Sequence, residues 1–446
     1  MIIRIFSIAL IGLMTVQTAT AQKKILDHAD FDIWKTIERE QISDNGRWVV
    51  YEVTPEDGDG TLYVYDGQND SKRGYDRGTR ASISADSRFV AFTIKPFADT
   101  LEAMQRRKVK KDDMPNDTLA ILDLNSGDLT KVANVQSFQL PEKWSGWIAY
   151  HLEPENMENG EKKDDKIKKE SQKNGSKLVI RNLANGDETT VGYVTDYTHA
   201  EEGKKFMLTS TGDDAEFEPG VYVFDGSLKP IFTQKGEFKH LTFDQKGTQA
   251  AFLADVDTTK TQVDPYGLYH WRAGAKAAIL IADDNADFLP EDWRISENGE
   301  VRFSEDASKL YFGTAPQPIL QDTNLLEDEI VNVEVWAYDQ PTLYTQQEVR
   351  LNREKRRTYE AVLHVENGKF VQLASKDVPD LTFGDEGNAR YVLGDNEEPY
   401  GVADTWKAWS KKDMFLIDTE TGEQRIVGKG IDGFASLSPA ANYVYW

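Results

Sequence analysis

The sequence predicts an all-β fold: a β-propeller of four-stranded antiparallel blades, about seven blades plus an incomplete one, with helical and charged insertions. Three observations predict it. One phrase recurs along the chain, a second phrase follows most copies of the first, and no long alternation of strands and helices interrupts them. The first phrase reads ISDNGRWVVY at Ile42–Tyr51, ISADSRFVAF at Ile83–Phe92, LTFDQKGTQAAF at Leu241–Phe252, RFSEDASKLYF at Arg302–Phe312 and LTFGDEGNARYVL at Leu381–Leu393. Each copy sets an apolar residue and Ser or Thr ahead of a turn of Asp, Asn, Gly or Ser, and then an alternating apolar strand. Asp and Asn cap their own backbone, and Gly and Asn tolerate positive φ, so two strands reverse tightly there. Weaker copies stand at PEKWSGWIAYHL and AEEGKKFMLTS.

The second phrase reads TLYVYDGQND, TLAILDLNSGDLTKV, KLVIRNLANGDETTV, GVYVFDGSLKPIF and DMFLIDTETGEQRIV. It is a strand, an Asx- or Gly-containing turn such as Asn125-Ser126-Gly127 or Asn185-Gly186-Asp187, and a return strand. Two phrases together make four short antiparallel strands. One such sheet is a blade, whose faces are buried only against neighbouring blades, so it must be repeated. Aromatic strands with Asx turns also suit a β-sandwich, but sandwich strands do not recur as a two-phrase unit. Turns near Asp44, Asp86, Ser145, Gly203, Gln245, Asp306, Glu386 and Ala440 count seven nearly full units and the start of an eighth. The eighth has only its first phrase, so the sequence as given is expected to break off inside a blade at Trp446.

In chain order, residues 1–21 read as an export signal: Arg4, the apolar run Ile5–Val16, then Ala19-Thr20-Ala21, with cleavage expected after Ala21. The run is too short to span a bilayer and no later segment approaches the required length. Residues 22–41 are a lead-in in which DFDIWKTIERE is expected to form one short helix with Phe31, Trp34 and Ile37 facing inward. Residues 42–446 are the propeller. Insertions interrupt it: ADTLEAMQRRKVKKDDM at Ala98–Met114, helical and basic; a charged low-complexity loop at Pro154–Gly175; and the long Ala315–Tyr359, which reads either as a contact arm or lid or as an outer strand with a solvated charged edge.

The chain has 446 residues, 39% of them apolar, with 18 Tyr, 20 Phe and 10 Trp, a composition that sustains a large core. It has no cysteine. That removes disulfides, thiolate nucleophiles and Cys-based zinc sites, and also the N-terminal Cys that a lipid-anchored export product needs. The expected location is therefore the periplasm or the exterior, without a membrane anchor once the signal is removed. A net charge of −24 repels a polyanion over most of the surface, so nucleic acid is a poor partner.

No residue is identified as catalytic, cofactor-binding or metal-binding. No serine sits in G-x-S-x-G, the elbow that exposes a nucleophile beside oxyanion donors. His28, His151, His199, His240, His270 and His364 are scattered singly, without the spacing that puts two imidazoles on one helix face. DDNADF at Asp283–Phe288 has oxygen donors at alternate positions but lacks the Gly of a calcium loop and carries Arg294 where the closing Glu belongs. Glu201-Glu202 and Glu397-Glu398 are adjacent acidic pairs of the kind that receives a peptide's amino terminus, although surface solvation explains them more simply. Neither G-x-G-x-x-G nor G-x-x-x-x-G-K-[ST] occurs, so no cofactor is expected.

Read as a series, the phrases resemble the N-terminal propeller of exported bacterial prolyl oligopeptidase (S9) family serine peptidases. The residues that carry the likeness are DFDIWKTIEREQISDNGRWVVYEVTPEDGDGTLYVYD, KPFADTLEAMQRRKVKKDDMPNDTLAILDLNSG, VEVWAYDQPTLYTQQEVRLNREKRRTYEAVLHVENGKFVQLA and EEPYGVADTWKAWSKKDMFLIDTETGEQRIV. The resemblance implies a propeller that covers the cleft of an α/β-hydrolase domain and restricts access to short or unfolded peptides. It also implies that the Ser, Asp and His of catalysis lie on that domain, outside these residues, so that peptide substrates meet the chain only through it. Two alternatives compete: a stand-alone, non-catalytic periplasmic propeller that binds a protein or peptide, and a metal-dependent hydrolytic propeller, for which the scattered His and the acidic loop are the sole support.

Overall fold

The structure is a computed structural model that describes residues 27, 34–154, 174–212, 217–257, 259, 261–320, 322, 324–326, 328–330, 337, 340–404, 406–407 and 410–446. The fold is an all-β propeller of antiparallel sheets in chain order. The first sheet runs β1 (Lys35–Ile42), β2 (Trp48–Pro55), β3 (Thr61–Asp66), β4 (Ser71–Asp76), each hydrogen-bonded to the next. The second runs β5 (Gly78–Ile83), β6 (Phe89–Ile94), β7 (Thr118–Asp123), β8 (Leu129–Ala133).

A seven-stranded sheet follows: β9 (Val135–Gln139), β10 (Trp147–Leu152), β11 (Ser176–Asn182), β12 (Glu188–His199), β13 (Phe206–Ser210), β14 (Gly220–Phe224), β15 (Leu228–Thr233). It is two blades sharing one strand. The first half of β12 pairs with β11, up to Val194 opposite Ser176, and its second half pairs with β13, from Val194 opposite Ser210. Tyr193, at φ +56°, makes the bend between the halves.

The next sheets are β16 (Glu237–Phe243), β17 (Gln249–Asp255), β18 (Gly267–Arg272), β19 (Ile279–Ala282); then β20 (Trp293–Ile295) and β21 (Arg302–Phe303), both against β22 (Lys309–Pro316), with β23 (Tyr359–His364) and β24 (Lys369–Gln372); then β25 (Asp380–Thr382), β26 (Tyr391–Asn396), β27 (Lys411–Asp418), β28 (Gln424–Asp432). A two-stranded pair, β29 (Ser436–Leu437) and β30 (Val444–Tyr445), closes the described chain. Among the described residues this gives seven blade units, six of four strands and one in which β20 and β21 share the first position, and the start of another, as the turn spacing predicts.

The chain divides into two compact units. One comprises residues 1–42, 46–81 and 93–115; the other comprises 43–45, 82–92 and 116–446. In the first unit, β2 and β3 alternate buried and half-buried positions around Val50, Leu62 and Val64. A buried carboxylate, Glu52, is satisfied there by Arg39 Nη1 (2.7 Å), Thr79 Oγ1 (2.8 Å) and the Arg80 amide (2.7 Å).

In the second unit the blades stack face to face, and a strand buried on both faces reads as an uninterrupted apolar run. Strand β17, QAAFLAD, is the clearest case. Ala250, Phe252 and Ala254 pack on one side with Met207, Val221 and Tyr269, while Ala251 and Leu253 pack on the other with Leu310 and Phe312. Phe252 stacks on Tyr269 with ring centroids 5.4 Å apart.

The lead-in differs from expectation. Lys35–Ile42 is a strand, not a helix; Trp34 and Ile37 are 52% and 63% exposed, and Phe31 lies outside the described residues. Pairing with the N–H and C=O groups of β2 satisfies this backbone more completely than an isolated helical turn, which would lack a nucleus of adequate length. The helix expected in the 98–114 insertion forms at Ala98–Arg106. Within 315–359 the described residues include a helix, Tyr344–Glu354, while the segment 331–336, where an outer strand would run, lies outside the described residues.

Candidate functional site

In an antiparallel blade the connections from first to second strand and from third to fourth leave one end of the sheet, and the connection from second to third leaves the other. The two ends differ sharply here. The first end carries tight turns at 43–47, 67–70, 84–88, 124–128, 183–187, 244–248, 365–368 and 419–423. The second end carries the length in five of the seven blades, at 95–117, 153–175, 256–266, 317–358 and 397–410; the connections 56–60 and 211–219 in the other two are shorter.

The tight end is stiffened by a motif not anticipated from the sequence. Arg88 Nε and Nη2 both donate to Asp123 Oδ2, at 3.2 and 3.0 Å, while Asp123 Oδ1 accepts from the amides of Asn125 and Ser126. Arg390 and Asp418 repeat this arrangement, with the Glu420 amide on Oδ1. Arg47 holds Asp66 at 2.9 and 2.6 Å. Each Arg also lies over the aromatic ring that follows it, Trp48, Phe89 or Tyr391. The signal was present as Arg-[Trp/Phe/Tyr]-Val in the first phrase and Asp in the second; only their separation in sequence hid the pairing.

Neighbouring tight turns are also bonded to one another. The Glu202 amide donates to Gln245 O (2.7 Å), the Glu305 amide to Glu386 O (3.1 Å) and the Asp385 amide to Pro439 O (3.0 Å). Gly203 is required by this approach, since a Cβ there would lie 2.1 Å from Lys246 O.

At the long end the described helices of the insertions are solvated yet anchored. The Arg77 guanidinium lies 3.8 Å from the Phe97 ring centroid and donates to Lys95 O (2.7 Å), and the Ala98 amide at the start of the 98–106 helix donates to Asp59 (3.0 Å). The 344–354 helix buries none of its residues; Val349 is 85% exposed, and the helix ends in an Arg357–Glu354 pair at 2.6 Å. Gly401 approaches so near to Pro341 that a Cβ would stand 2.2 Å from its carbonyl oxygen, which ties the 317–358 and 397–410 connections together at that point. Tyr400 Oη donates to Asp413 (2.6 Å), which also accepts from the Gly430 amide (3.0 Å).

The histidines are not brought together into one site. His28 lies outside the described residues. His240 Nε2 and His364 Nε2 each meet a backbone carbonyl, Glu297 O and Thr419 O, both at 2.8 Å, and His199 packs edge-on to Trp144. His270 Nε2 faces Gln249 Oε1 at 2.9 Å, and burial, with Arg272 nearby, pushes its pKa down to about 4.

His151 touches a serine, Ser176 Oγ, at 2.8 Å, but the same Nε2 is 2.9 Å from Val194 O. A carbonyl only accepts, so Nε2 carries the proton and cannot take one from Ser176, whose hydroxyl donates to Leu152 O. Burial lowers the pKa of His151, further fixing the neutral ring.

The acidic candidates have local partners. Glu201 pairs with Lys143 at 2.5 Å; Glu398 opens a short 3₁₀ turn. Asp283 accepts from the Asn285 amide and Asp284 from the Ile295 amide, each at 2.9 Å, which makes DDNADF a capped turn that also holds strand β20. Among the described residues no group of three or more His, Asp or Glu is placed to hold a metal ion, and no helix is long and apolar enough to cross a membrane.

No protein-family model matches the chain, and no curated protein does. Solved structures do. The β-propeller domain of the Trilobed protease from Pyrococcus furiosus aligns at 12% identity over 90% of this chain and 100% of that one, with a TM-score of 0.32. Pyrococcus horikoshii acylaminoacyl peptidase aligns at 10% identity over 91% of this chain and 54% of its own, with a TM-score of 0.34. Porphyromonas gingivalis dipeptidyl peptidase 4 aligns at 12% identity over 89% and 53%, with a TM-score of 0.41. The chain thus spans about half the length of these last two peptidases, and at such identities the likeness is one of fold.

Proposed function

We propose that this chain is the substrate-gating propeller portion of an exported S9-type serine peptidase, with peptide-bond hydrolysis carried out by a hydrolase domain outside these residues. The observation that carries the reading is the concentration of every long connection at one end of the sheets. In the second unit, tight turns bonded to one another make the other end a rigid base, and the solvated 344–354 helix supplies surface for contact with a second domain and with entering peptides. The resemblance of the repeated phrases to S9 propellers supports the same reading, and the export signal ending at Ala21 supports a periplasmic or secreted location.

The test uses a fluorophosphonate probe on the 446-residue chain and on the product of the complete natural gene. The complete product is expected to be labelled at a serine beyond Trp446 and to cleave short peptides faster than folded proteins, while the 446-residue chain is unlabelled. Labelling of a serine within these residues sinks the proposal. A complete product that stays unlabelled favours the stand-alone binding propeller instead. Export is checked separately: the mature N-terminus is expected at Gln22.

A further inference from the structure

Between the outer strands of two neighbouring blades of the second unit lies a pocket of ≈ 500 Å³, formed by β18 and β19 on one side and β23 and β24 on the other. Ile279, Ile281, Leu363 and Phe370 supply its apolar walls, and Arg272 and His270 are its polar side chains. Arg272 ends β18 and Val365 follows β23, so the pocket sits at the tight-turn end of these sheets, away from the long connections. It is therefore separate from the surface invoked for gating.

The walls specify a ligand. A pocket of this size lined by aliphatic and aromatic side chains, with one or two polar groups to fix orientation, has the character of a small-molecule site. The Arg272 guanidinium is held by one bond, Nη2 to Val365 O at 2.9 Å, and has no carboxylate at ion-pair distance among the described residues, although the chain as a whole carries a net charge of −24.

His270 adds no second charge. Gln249 Nε2 donates to Ala307 O (3.1 Å), so Gln249 Oε1 is the acceptor that faces His270, whose Nε2 bears the proton of a neutral ring. The pocket thus offers one cation and otherwise apolar surface. An extended peptide would bring amide groups for which the lining side chains offer few partners, at a desolvation cost. A molecule with one anionic head and an alkyl body brings none.

We propose that this pocket binds an aliphatic carboxylate, its head on the Arg272 guanidinium and its chain along Ile279, Ile281, Leu363 and Phe370. The charge-assisted contact sets the orientation, and the apolar walls provide the driving force.

The test is isothermal titration of the full chain with decanoate and, separately, with decyltrimethylammonium, which has the same tail and the opposite charge. Decanoate is expected to bind once per chain with a Kd of about 10–100 μM, and the cationic amphiphile not to saturate. Arg272→Gln is expected to weaken decanoate about tenfold. Ala277→Trp, at an exposed lining position that tolerates a larger side chain, is expected to abolish binding. Thermal unfolding that matches the parent establishes that both variants fold. Equal binding of the two amphiphiles, unchanged affinity in Ala277→Trp, or absence of saturable decanoate binding overturns the proposal. So does an apolar hexapeptide that displaces decanoate and binds more tightly, which would assign the pocket to polypeptide.

Discussion

Arg88 and Asp123, 35 residues apart in sequence, meet through a single carboxylate oxygen: Oδ2 takes both guanidinium bonds and Oδ1 is left for the two turn amides that follow. One side chain thereby closes two turns, the one before β6 and the one after β7. Burial opposes ionisation of Asp123, but the Ser126 and Asn125 amides and Arg88 outweigh it and hold its pKa below the usual carboxylate range.

Removing this carboxylate should loosen both turns. Asp123→Ala is expected to cost about 1 kcal/mol, with the pair itself discounted for exposure and most of the loss coming from the orphaned amides. Because the folded pKa is depressed, the contribution is present above the unfolded value of 3.8 and is lost as pH falls through the folded one. Urea unfolding at pH 7 and at pH 3 checks this: the gap between parent and variant should shrink in acid.

The approach of Gly203 to Lys246 predicts a larger effect from a smaller change. Gly203→Ala places a methyl group where the neighbouring blade's carbonyl oxygen already stands, so the turns must separate and the Glu202–Gln245 bond must lengthen. The expected loss is about 2–3 kcal/mol, read as a lowered urea midpoint. Gly226→Ala serves as a partial control, because at that position a Cβ meets open space, although φ is +102°.

His270 predicts a dependence on pH. An unfolded histidine takes its proton near 6.5, while the folded one resists until about 4. Between those values the unfolded chain binds more protons, so this group's stabilisation is whole above about pH 6.5 and is lost as pH falls towards 4, on the order of 2 kcal/mol. Asp196 and Glu360, whose pKa values burial raises, act in the opposite sense in acid, so the comparison must be made against His270→Gln. The difference in unfolding free energy between parent and variant should change across that window; a constant difference would refute the assignment.

The 344–354 helix buries no residue, so replacing 343–355 by a short Gly-Ser link should leave the unfolding free energy unchanged within about 0.5 kcal/mol, read by urea unfolding. Phe312→Ala, in the core between two blades, should cost about 3–5 kcal/mol. On the proposed gating role, the 343–355 replacement, made in a product that carries the hydrolase domain, is expected to relax discrimination against large substrates without lowering turnover of short peptides.

Much of the fold was legible in the sequence because its signals are local. The turn after Ile83 and the Asn125-Ser126-Gly127 reversal are specified within a few residues, and their recurrence gave the blade count. What was not legible depends on distant partners. Strand β1 reads as a helix until β2 is there to pair with it; the sharing of β12 between two blades depends on the bend at Tyr193. The Arg88–Asp123 pair and the Arg272 pocket each join residues from separate phrases, so no single window of sequence contains them. The separation of Ser176 from any catalytic role required the Val194 carbonyl, which sequence cannot place.

The bonds from Glu202 to Gln245, from Glu305 to Glu386 and from Asp385 to Pro439 all run the same way, each turn giving its proton to one later in the chain. Lengthening such a turn would pull on the turn bonded to it, whereas a second-to-third connection such as 95–117 is tied to the blades at a few anchors only, among them Phe97 and Ala98. Evolution has therefore had one permissive margin on which to experiment, and protein engineers inherit it: a reporter or affinity module spliced into 95–117 or 317–358 should leave the scaffold intact, and the same graft at 244–248 should not.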